Sequence, residues 1–246
     1  MKVRLSAGVV CAVLVGLLVP AAGAATKGLS HVPQIDSIGQ QLTGYSDIEV
    51  DGEDNPYEWG QLLGVLGDVS PAEQTLGFVT IYEPPGFPTY HRIYLSPSVW
   101  PVLMQSINGD WSNPTGEAIA IFALTHEALH YRLFSSDEGL VNACALKIFP
   151  AVLSAYFNMQ PTVSEPTQVE HDKPLFKTVK RFSYVRVDGK RVRRARLLRV
   201  RAGTAVTYTD DGPPITVPNP TYSALVFDAQ TFYASQPPPY STGSCS

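Results

Sequence analysis

The sequence lacks the short motifs that mark P-loop nucleotide-binding sites and the active sites of α/β-hydrolases. It contains no glycine-rich phosphate loop and no nucleophile elbow, and no internal repeat is visible along its 246 residues. After residue 24 it has no stretch that looks apolar enough to span a bilayer. The motifs therefore give no support to those two classes. The chain is long enough for one large domain, or for one small domain and part of a second, and it can bury a hydrophobic core.

The first 24 residues are typical of a secretory signal peptide. Lys2 and Arg4 give a positive start, residues 7–19 are apolar, and residues 22–24 read Ala-Gly-Ala, which fits the small-residue rule for cleavage. We expect cleavage near Ala24, giving a secreted or cell-envelope protein. The alternative is an uncleaved membrane anchor.

Cysteine is scarce, with three in the chain, and Cys11 lies inside the predicted signal peptide. Export would leave Cys144 and Cys245 in an oxidising compartment, where they can pair. The two cysteines are about 100 residues apart, and closing a loop of about that length would stabilise the fold by roughly 4–5 kcal/mol in the chain-entropy model. We predict this disulfide, the alternative being a buried free Cys144 and a frayed C-terminus.

Positive charge is scarce in one part of the chain and dense in another. Residues 28–158 hold three Lys or Arg and 15 carboxylates, whereas 12 of the 18 Lys and Arg lie between Lys173 and Arg201. Loss of Lys2 and Arg4 would take the formal charge from −4 to −6. An acidic half and a basic patch therefore share one chain.

The remaining pattern predicts an α+β protein. Residues 25–60 read as a polar, loosely structured segment, and residues 61–158 as a core with strands near 78–82 and 90–95. Residues 159–246 read as a linker over 160–174, a basic β-hairpin turning at Asp188-Gly189 and a proline-rich tail.

Two consecutive helices are predicted in the core. Asn113 suits the N-cap of the first, Pro114 its first position and Glu117 its first turn, and nothing breaks a helix before about Leu133. The second helix is expected to start at Asp137, run past residue 146 and kink or end at Pro150.

The first helix contains His126-Glu127-x-x-His130. Histidines four residues apart project from one face of a helix and can bind one ion. The glutamate between them can take a proton from a water molecule that zinc activates. Because this pattern is uncommon by chance, it predicts a zinc site with Glu127 as general base.

These residues resemble the zincin metallopeptidases. The resemblance implies that His126 and His130 ligate Zn²⁺, that Glu127 is catalytic and that the substrate is a peptide or protein. A metzincin would need histidine where this chain has Ser136, and no carboxylate follows Glu138 until Glu165. Asp137 and Glu138 therefore remain as candidates for the third ligand.

Glu138 opens a segment similar to the E-x-x-A-N-x-F-A segment of the ImmA/IrrE family of zinc metallopeptidases. Asn142 and Ala145 match it, whereas Val141 and Cys144 replace the alanine and the aromatic residue. The resemblance covers about residues 80–150 and implies that Glu138 is the ligand. A turn at residues 134–136 would present it to the histidines.

Other interpretations of the core remain open. The motif can be a salt-bridging face of an ordinary helix, or part of a protein that keeps zinc without turnover. His91, Tyr94 and Tyr131 are candidates for stabilising an oxyanion in a substrate cleft, although packing or surface roles explain them as well.

The hairpin at residues 186–201 offers a basic patch for an anionic partner, such as an envelope polymer, anionic lipid or nucleic acid. Export argues against nucleic acid as a dedicated ligand. The other interpretation is that the hairpin docks on the acidic part of its own chain or is a solvated face. A non-catalytic envelope protein that binds an anionic surface is therefore the alternative function.

Overall fold

The computed structural model describes residues 13–14, 29–66, 75–82 and 90–245. They belong to two units. A core unit comprises residues 1–161 and 219–246, and an inserted unit, which we call the ribbon, comprises residues 162–218. The described residues contain six helices and two sheets, which agrees with the predicted α+β class. The predicted signal peptide lies almost entirely outside them.

The described part of the core unit combines short strands with helices. Its strands are β1 (Val13–Leu14), β2 (Ser30–His31), β3 (Glu49–Gly52), β4 (Gly77–Tyr82) and β5 (Tyr90–Leu95). Its helices are α1 (Pro33–Thr43), α2 (Pro56–Leu66), α3 (Trp100–Ile107), α4 (Pro114–Leu133), α5 (Glu138–Tyr156) and α6 (Pro220–Ser235).

The five strands form one sheet in the order β1-β4-β5-β3-β2. β4 and β5 pair antiparallel, and β3 lies parallel to β5. Alternate residues face opposite sides of a strand. Val79 and Ile93 accordingly join the main core, whereas Phe78 and Tyr94 pack with Trp59 of α2 in a smaller cluster. The sheet is therefore covered on both faces.

α4 is the central helix and contacts α1, α3, α5, α6, β4 and β5. Its start follows the predicted chemistry. The Asn113 side chain accepts the N–H of Gly116 at 3.2 Å, and Glu117 Oε1 accepts the N–H of Asn113 at 2.9 Å. Nearly every residue from Glu117 to Tyr131 is buried, as expected for a helix that is packed on all sides.

The segment 25–60 was predicted to be loosely structured, but its described part, residues 29–60, contains helices and strands. α1 buries Ile35, Ile38 and Leu42 in the main core. The buried Asp36 accepts the N–H of Val50 at 2.8 Å, which ties α1 to β3. Polar side chains in this segment form hydrogen bonds with the backbone of folded elements. The abundance of polar residues alone therefore wrongly predicted a loop.

The C-terminal part also returns to the core unit. α6 contacts α4 and α5, and the predicted disulfide joins Cys144 of α5 to Cys245, with the two Cα atoms 4.8 Å apart. The boundaries predicted at residues 60 and 159 therefore differ from the division that the structure shows.

α5 begins at Glu138 and continues through Pro150 to Tyr156. By length and composition alone it could cross a membrane, contrary to the expectation from the sequence. In the fold it is a core helix, because Val141, Ala145 and Phe149 are fully buried. This burial explains its apolar composition.

The ribbon is a two-stranded antiparallel sheet of β6 (Thr162–Val187) and β7 (Lys190–Pro218). The chain turns at Asp188 and Gly189, both at positive φ, where the sequence predicts a turn. The ribbon is much longer than the predicted hairpin.

Residues 160–174 were predicted to be a linker, which is wrong from Thr162 onward because β6 begins there. β6 nevertheless contains two prolines. Pro166 lies at a register irregularity between Glu165 and Thr167. Pro174 pairs with Thr204 in a sheet of two strands, and proline within sheets occurs on edge strands.

Candidate metal centre

Three side chains from two helices converge beside the turn between α4 and α5. His126 and His130 lie one helical turn apart on α4, and Glu138 is the first residue of α5. Phe134 ends α4 in the left-handed conformation, at φ 47°, so that the chain reverses within a few residues. The predicted turn at residues 134–136 therefore places Glu138 opposite the two histidines.

The donor atoms of these residues face one another. The two Nε2 atoms of His126 and His130 are 2.9 Å apart. Glu138 Oε2 lies 3.1 Å from Nε2 of His126 and 3.6 Å from Nε2 of His130. These three residues form a group that could hold a metal ion.

The arrangement fits a small tetrahedral ion. With metal–ligand bonds of about 2.0–2.1 Å, tetrahedral geometry keeps donor atoms roughly 3.3–3.4 Å apart. The three separations of 2.9, 3.1 and 3.6 Å bracket that value. A group of two imidazoles and one carboxylate is also a ligand set of catalytic zinc sites, which leave a fourth position open.

A hydrogen bond to the backbone orients His130. Its Nδ1 lies 2.7 Å from the carbonyl oxygen of Ser135 and can only donate to it, which leaves the Nε2 lone pair directed at the group. Nδ1 of His126 is buried and has no hydrogen-bond partner among the residues that the structure describes. Sequence reasoning missed Ser135, because a backbone acceptor leaves no signal in residue type.

Without a metal, the same group behaves as an ion pair. Burial disfavours the imidazolium of His130, but its hydrogen bond with Glu138 and the charges of Glu127 and Glu138 raise its pKa to about 9. Burial likewise disfavours the Glu138 carboxylate, yet the hydrogen bonds with His126 and His130 lower its pKa. The group therefore attracts a cation, either a proton or a metal ion.

Glu127, the predicted general base, is buried next to the first histidine, with 1% of its surface exposed. It lies against Gly77 at the start of β4. A Cβ at position 77 would come within 3.0 Å of Glu127 Cγ and 3.2 Å of Oε1. Gly77 thus gives the carboxylate its space. The sequence marked this glycine only as the start of a strand.

The structure separates the two carboxylates that the sequence left as alternatives. Asp137 is the exposed N-cap of α5, and its Oδ1 accepts the N–H of Leu140 at 3.0 Å. Glu138 faces the histidines. Asp137 therefore belongs to the cap, and Glu138 to the group of three residues that could hold a metal ion.

The three other candidates have packing roles. Tyr131 is buried, and its hydroxyl donates to the carbonyl of Thr80 and accepts the N–H of Arg92 at 2.8 Å, which ties α4 to β4 and β5. Burial raises the pKa of Tyr131 well above its usual range. His91 is buried and contacts Asp47 at 3.0 Å, and Tyr94 stacks on Phe78.

A small cleft, partly open to solvent, adjoins His126. Leu76, Phe122 and Phe232 give it apolar walls, and the amides of Asn142 and Gln236 give it polar ones. The group that could hold a metal ion therefore borders a mainly apolar cleft.

Comparisons of this chain with protein-family models, with curated proteins and with solved structures found no match. The resemblance to zincins and to the ImmA/IrrE family thus rests on the motif residues alone, and any function must be argued from the site.

Proposed function

We propose that the protein is an exported zinc-dependent metallopeptidase. The observation that carries this proposal is the convergence of Nε2 of His126, Nε2 of His130 and Oε2 of Glu138 within 3.6 Å, with Glu127 next in sequence to the first histidine. The disulfide is compatible with the oxidising compartment that export would provide.

His126, His130 and Glu138 would hold the ion. Zinc supplies a Lewis acid that polarises a carbonyl group and acidifies water at neutral pH. The Ser135 carbonyl keeps the tautomer of His130 in which Nε2 is free to bind. Ligand geometry is therefore maintained by the turn between α4 and α5.

Glu127 is the proton carrier in this mechanism. Its carboxylate accepts a proton from the water that attacks the peptide carbonyl, and then delivers that proton to the leaving amine. Its contact with Gly77 holds the side chain beside the start of β4.

Replacing Glu127 with glutamine tests the proposal, because glutamine keeps the size of the side chain but cannot accept the proton. With a mixture of quenched fluorescent peptides, we expect hydrolysis to fall by about 10²–10⁴-fold while zinc remains bound. Glu117→Gln is the matched control, since it makes the same change at another buried position of α4 and should leave hydrolysis unchanged.

Equal activity in the wild-type protein and Glu127→Gln would contradict the peptidase proposal. Zinc binding without hydrolysis of any peptide by the wild type would favour the alternative of a metal-binding protein without turnover.

A second candidate function is that of a non-catalytic envelope protein that binds an anionic partner. The observation that favours it is the concentration of 12 of the 18 Lys and Arg in the ribbon. It does not require a catalytic Glu127, so Glu127→Gln should leave binding of an anionic surface unchanged.

A further inference from the structure

The ribbon is divided along its length into a cationic and an acidic half. Its turn-end half, residues 173–201, contains 12 Lys and Arg and a single carboxylate, Asp188. Its other half, residues 162–172 and 202–218, contains no Lys or Arg and has five carboxylates. A partner that followed the whole ribbon would meet both signs of charge, whereas a surface approached from the turn would meet the cationic half alone.

The strand register places aromatic rings and cations on one face of that half. In an antiparallel pair, residues opposite each other share a face. The pairs Tyr184–Arg193 and Phe176–Arg201 therefore lie on the same face as the pair Lys180–Leu197. We call this face the aromatic face; its cations are Lys180, Arg186, Arg191, Arg193, Arg199 and Arg201.

Arginine side chains stack on the rings of this face. The guanidinium carbon of Arg193 lies 3.5 Å from the ring centroid of Phe182, and that of Arg199 lies 4.4 Å from the centroid of Phe176. A stacked guanidinium keeps the N–H groups at its edge available, and these match the geometry of a phosphate group.

Some cross-strand pairs place like charges directly opposite each other. Arg186 pairs with Arg191, and Arg181 pairs with Arg196 on the other face. Such pairs destabilise a sheet when nothing neutralises them. A bound anion would relieve this repulsion, so the register itself favours an anionic partner.

The exposed apolar residues indicate the kind of partner. On the aromatic face, Phe182 is 47% exposed, Tyr184 57% and Leu197 68%. A soluble polyanion needs only the cations, and an aliphatic side chain such as Leu197 gains nothing from it. Aromatic and aliphatic side chains among Lys and Arg instead suit the interface of a lipid bilayer.

We infer that the cationic half of the ribbon binds the surface of an anionic phospholipid membrane through its aromatic face. The guanidinium and ammonium groups contact lipid phosphates, and Phe182, Tyr184 and Leu197 enter the interfacial layer. This binding is independent of the proposed peptidase activity.

Co-sedimentation of the purified chain with lipid vesicles tests the inference. We expect binding to phosphatidylcholine vesicles containing roughly one third phosphatidylglycerol at about 0.1 M salt, and much weaker binding to pure phosphatidylcholine or at about 0.5 M salt. Replacing Arg191, Arg193 and Arg199 with alanine should weaken binding about 100-fold, since each cation near an anionic surface contributes about fivefold.

Three further variants distinguish loss of charge from loss of folding, and binding to lipid from binding to a soluble polyanion. The same positions changed to lysine should still bind, because the charge is kept. Arg132→Gln with Lys147→Gln removes two charges from the core unit and should leave binding unchanged. Phe182→Ser with Leu197→Ser should weaken vesicle binding but preserve binding to soluble polyphosphate.

Two results would overturn the inference. One is vesicle binding that does not respond to the three alanine substitutions. The other is vesicle binding that survives Phe182→Ser with Leu197→Ser in full, which would assign the ribbon to soluble polyanions such as wall polymers or nucleic acid.

Discussion

Asp137 and Glu138 are adjacent in sequence, but their carboxylates have different contacts. Asp137 caps α5 through the N–H of Leu140, whereas Glu138 points back at the imidazoles of α4. Their spacing after the second histidine indicates both residues as candidate ligands, and the family resemblance favours Glu138. The choice between the two needed the cap geometry, which depends on where the helix starts to within one residue.

The ion pair between His130 and Glu138 predicts how the metal-free protein responds to alkaline pH. The pKa of His130 is raised to about 9 in the folded chain, above the value of about 6.5 expected when unfolded. Its stabilising contribution is therefore complete below about pH 6.5 and is lost as the pH rises through about 9.

We expect the unfolding free energy, measured with urea in the presence of a chelator, to fall by on the order of 1–3 kcal/mol from pH 6 to pH 9.5. His130→Gln should remove this dependence. Because zinc competes with the proton, zinc affinity should rise over the same range. A metal-free stability that does not change over this range would contradict the ion pair.

The two helices of the site could be predicted from the sequence, because the residues that mark where a helix starts and ends lie close together in the chain. Asn113, Pro114 and Glu117 mark the start of α4 within a few residues, and they form the predicted cap. The contact between Gly77 and Glu127 could not be predicted from the sequence, because it depends on how β4 packs against α4.

Gly77→Ala tests the contact between β4 and α4. The added Cβ would lie 3.0 Å from both Glu127 Cγ and the carbonyl oxygen of Tyr94, so either the carboxylate or the strand must move. We expect peptide hydrolysis to fall by about 10-fold or more while zinc stays bound, because a displacement of the order of 1 Å at a catalytic group has effects of this size.

Gly64→Ala is the control, since a Cβ at position 64 of α2 meets nothing within 4 Å. It should keep activity and raise the unfolding free energy by about 0.5–1 kcal/mol, because alanine favours a helix over glycine. Unchanged hydrolysis in Gly77→Ala would show that Glu127 does not depend on this contact.

At the scale of the whole molecule, the predicted disulfide already implied that the C-terminus packs against the core, but the packing of α6 there was not predicted. α6 follows 57 ribbon residues in sequence but packs on α4 and α5. Contacts between residues so far apart in sequence leave no signal in the spacing of residue types. The cysteine pair was the only long-range feature that could be predicted, because disulfide chemistry limits the choice of partner.

The disulfide holds the tail against the first turn of α5. Gly139 and Gly243 approach so closely that a Cβ on Gly243 would lie 1.7 Å from the carbonyl oxygen of Gly139. Gly139 follows Glu138 directly, so the tail packs beside the residue that completes the metal-binding group.

Replacing both Cys144 and Cys245 with serine should lower the unfolding free energy by up to about 4–5 kcal/mol, given their separation of 101 residues. Zinc affinity should fall as well, since Glu138 loses the support of the tail. Chemical denaturation and competition with a zinc chelator measure the two effects. If neither quantity changes, the tail contributes nothing to the site.

The proposed function requires that His126, His130 and Glu138 bind one zinc ion. The most direct measurement is the zinc-to-protein ratio of the wild-type protein and its Glu138→Ala and Asp137→Ala variants, purified with zinc supplied. We predict a ratio near one for the wild type and for Asp137→Ala, which loses only a helix cap worth about 1 kcal/mol, and a clear loss of zinc in Glu138→Ala. Absence of zinc from the wild type, or full retention of zinc in Glu138→Ala, would contradict the assignment.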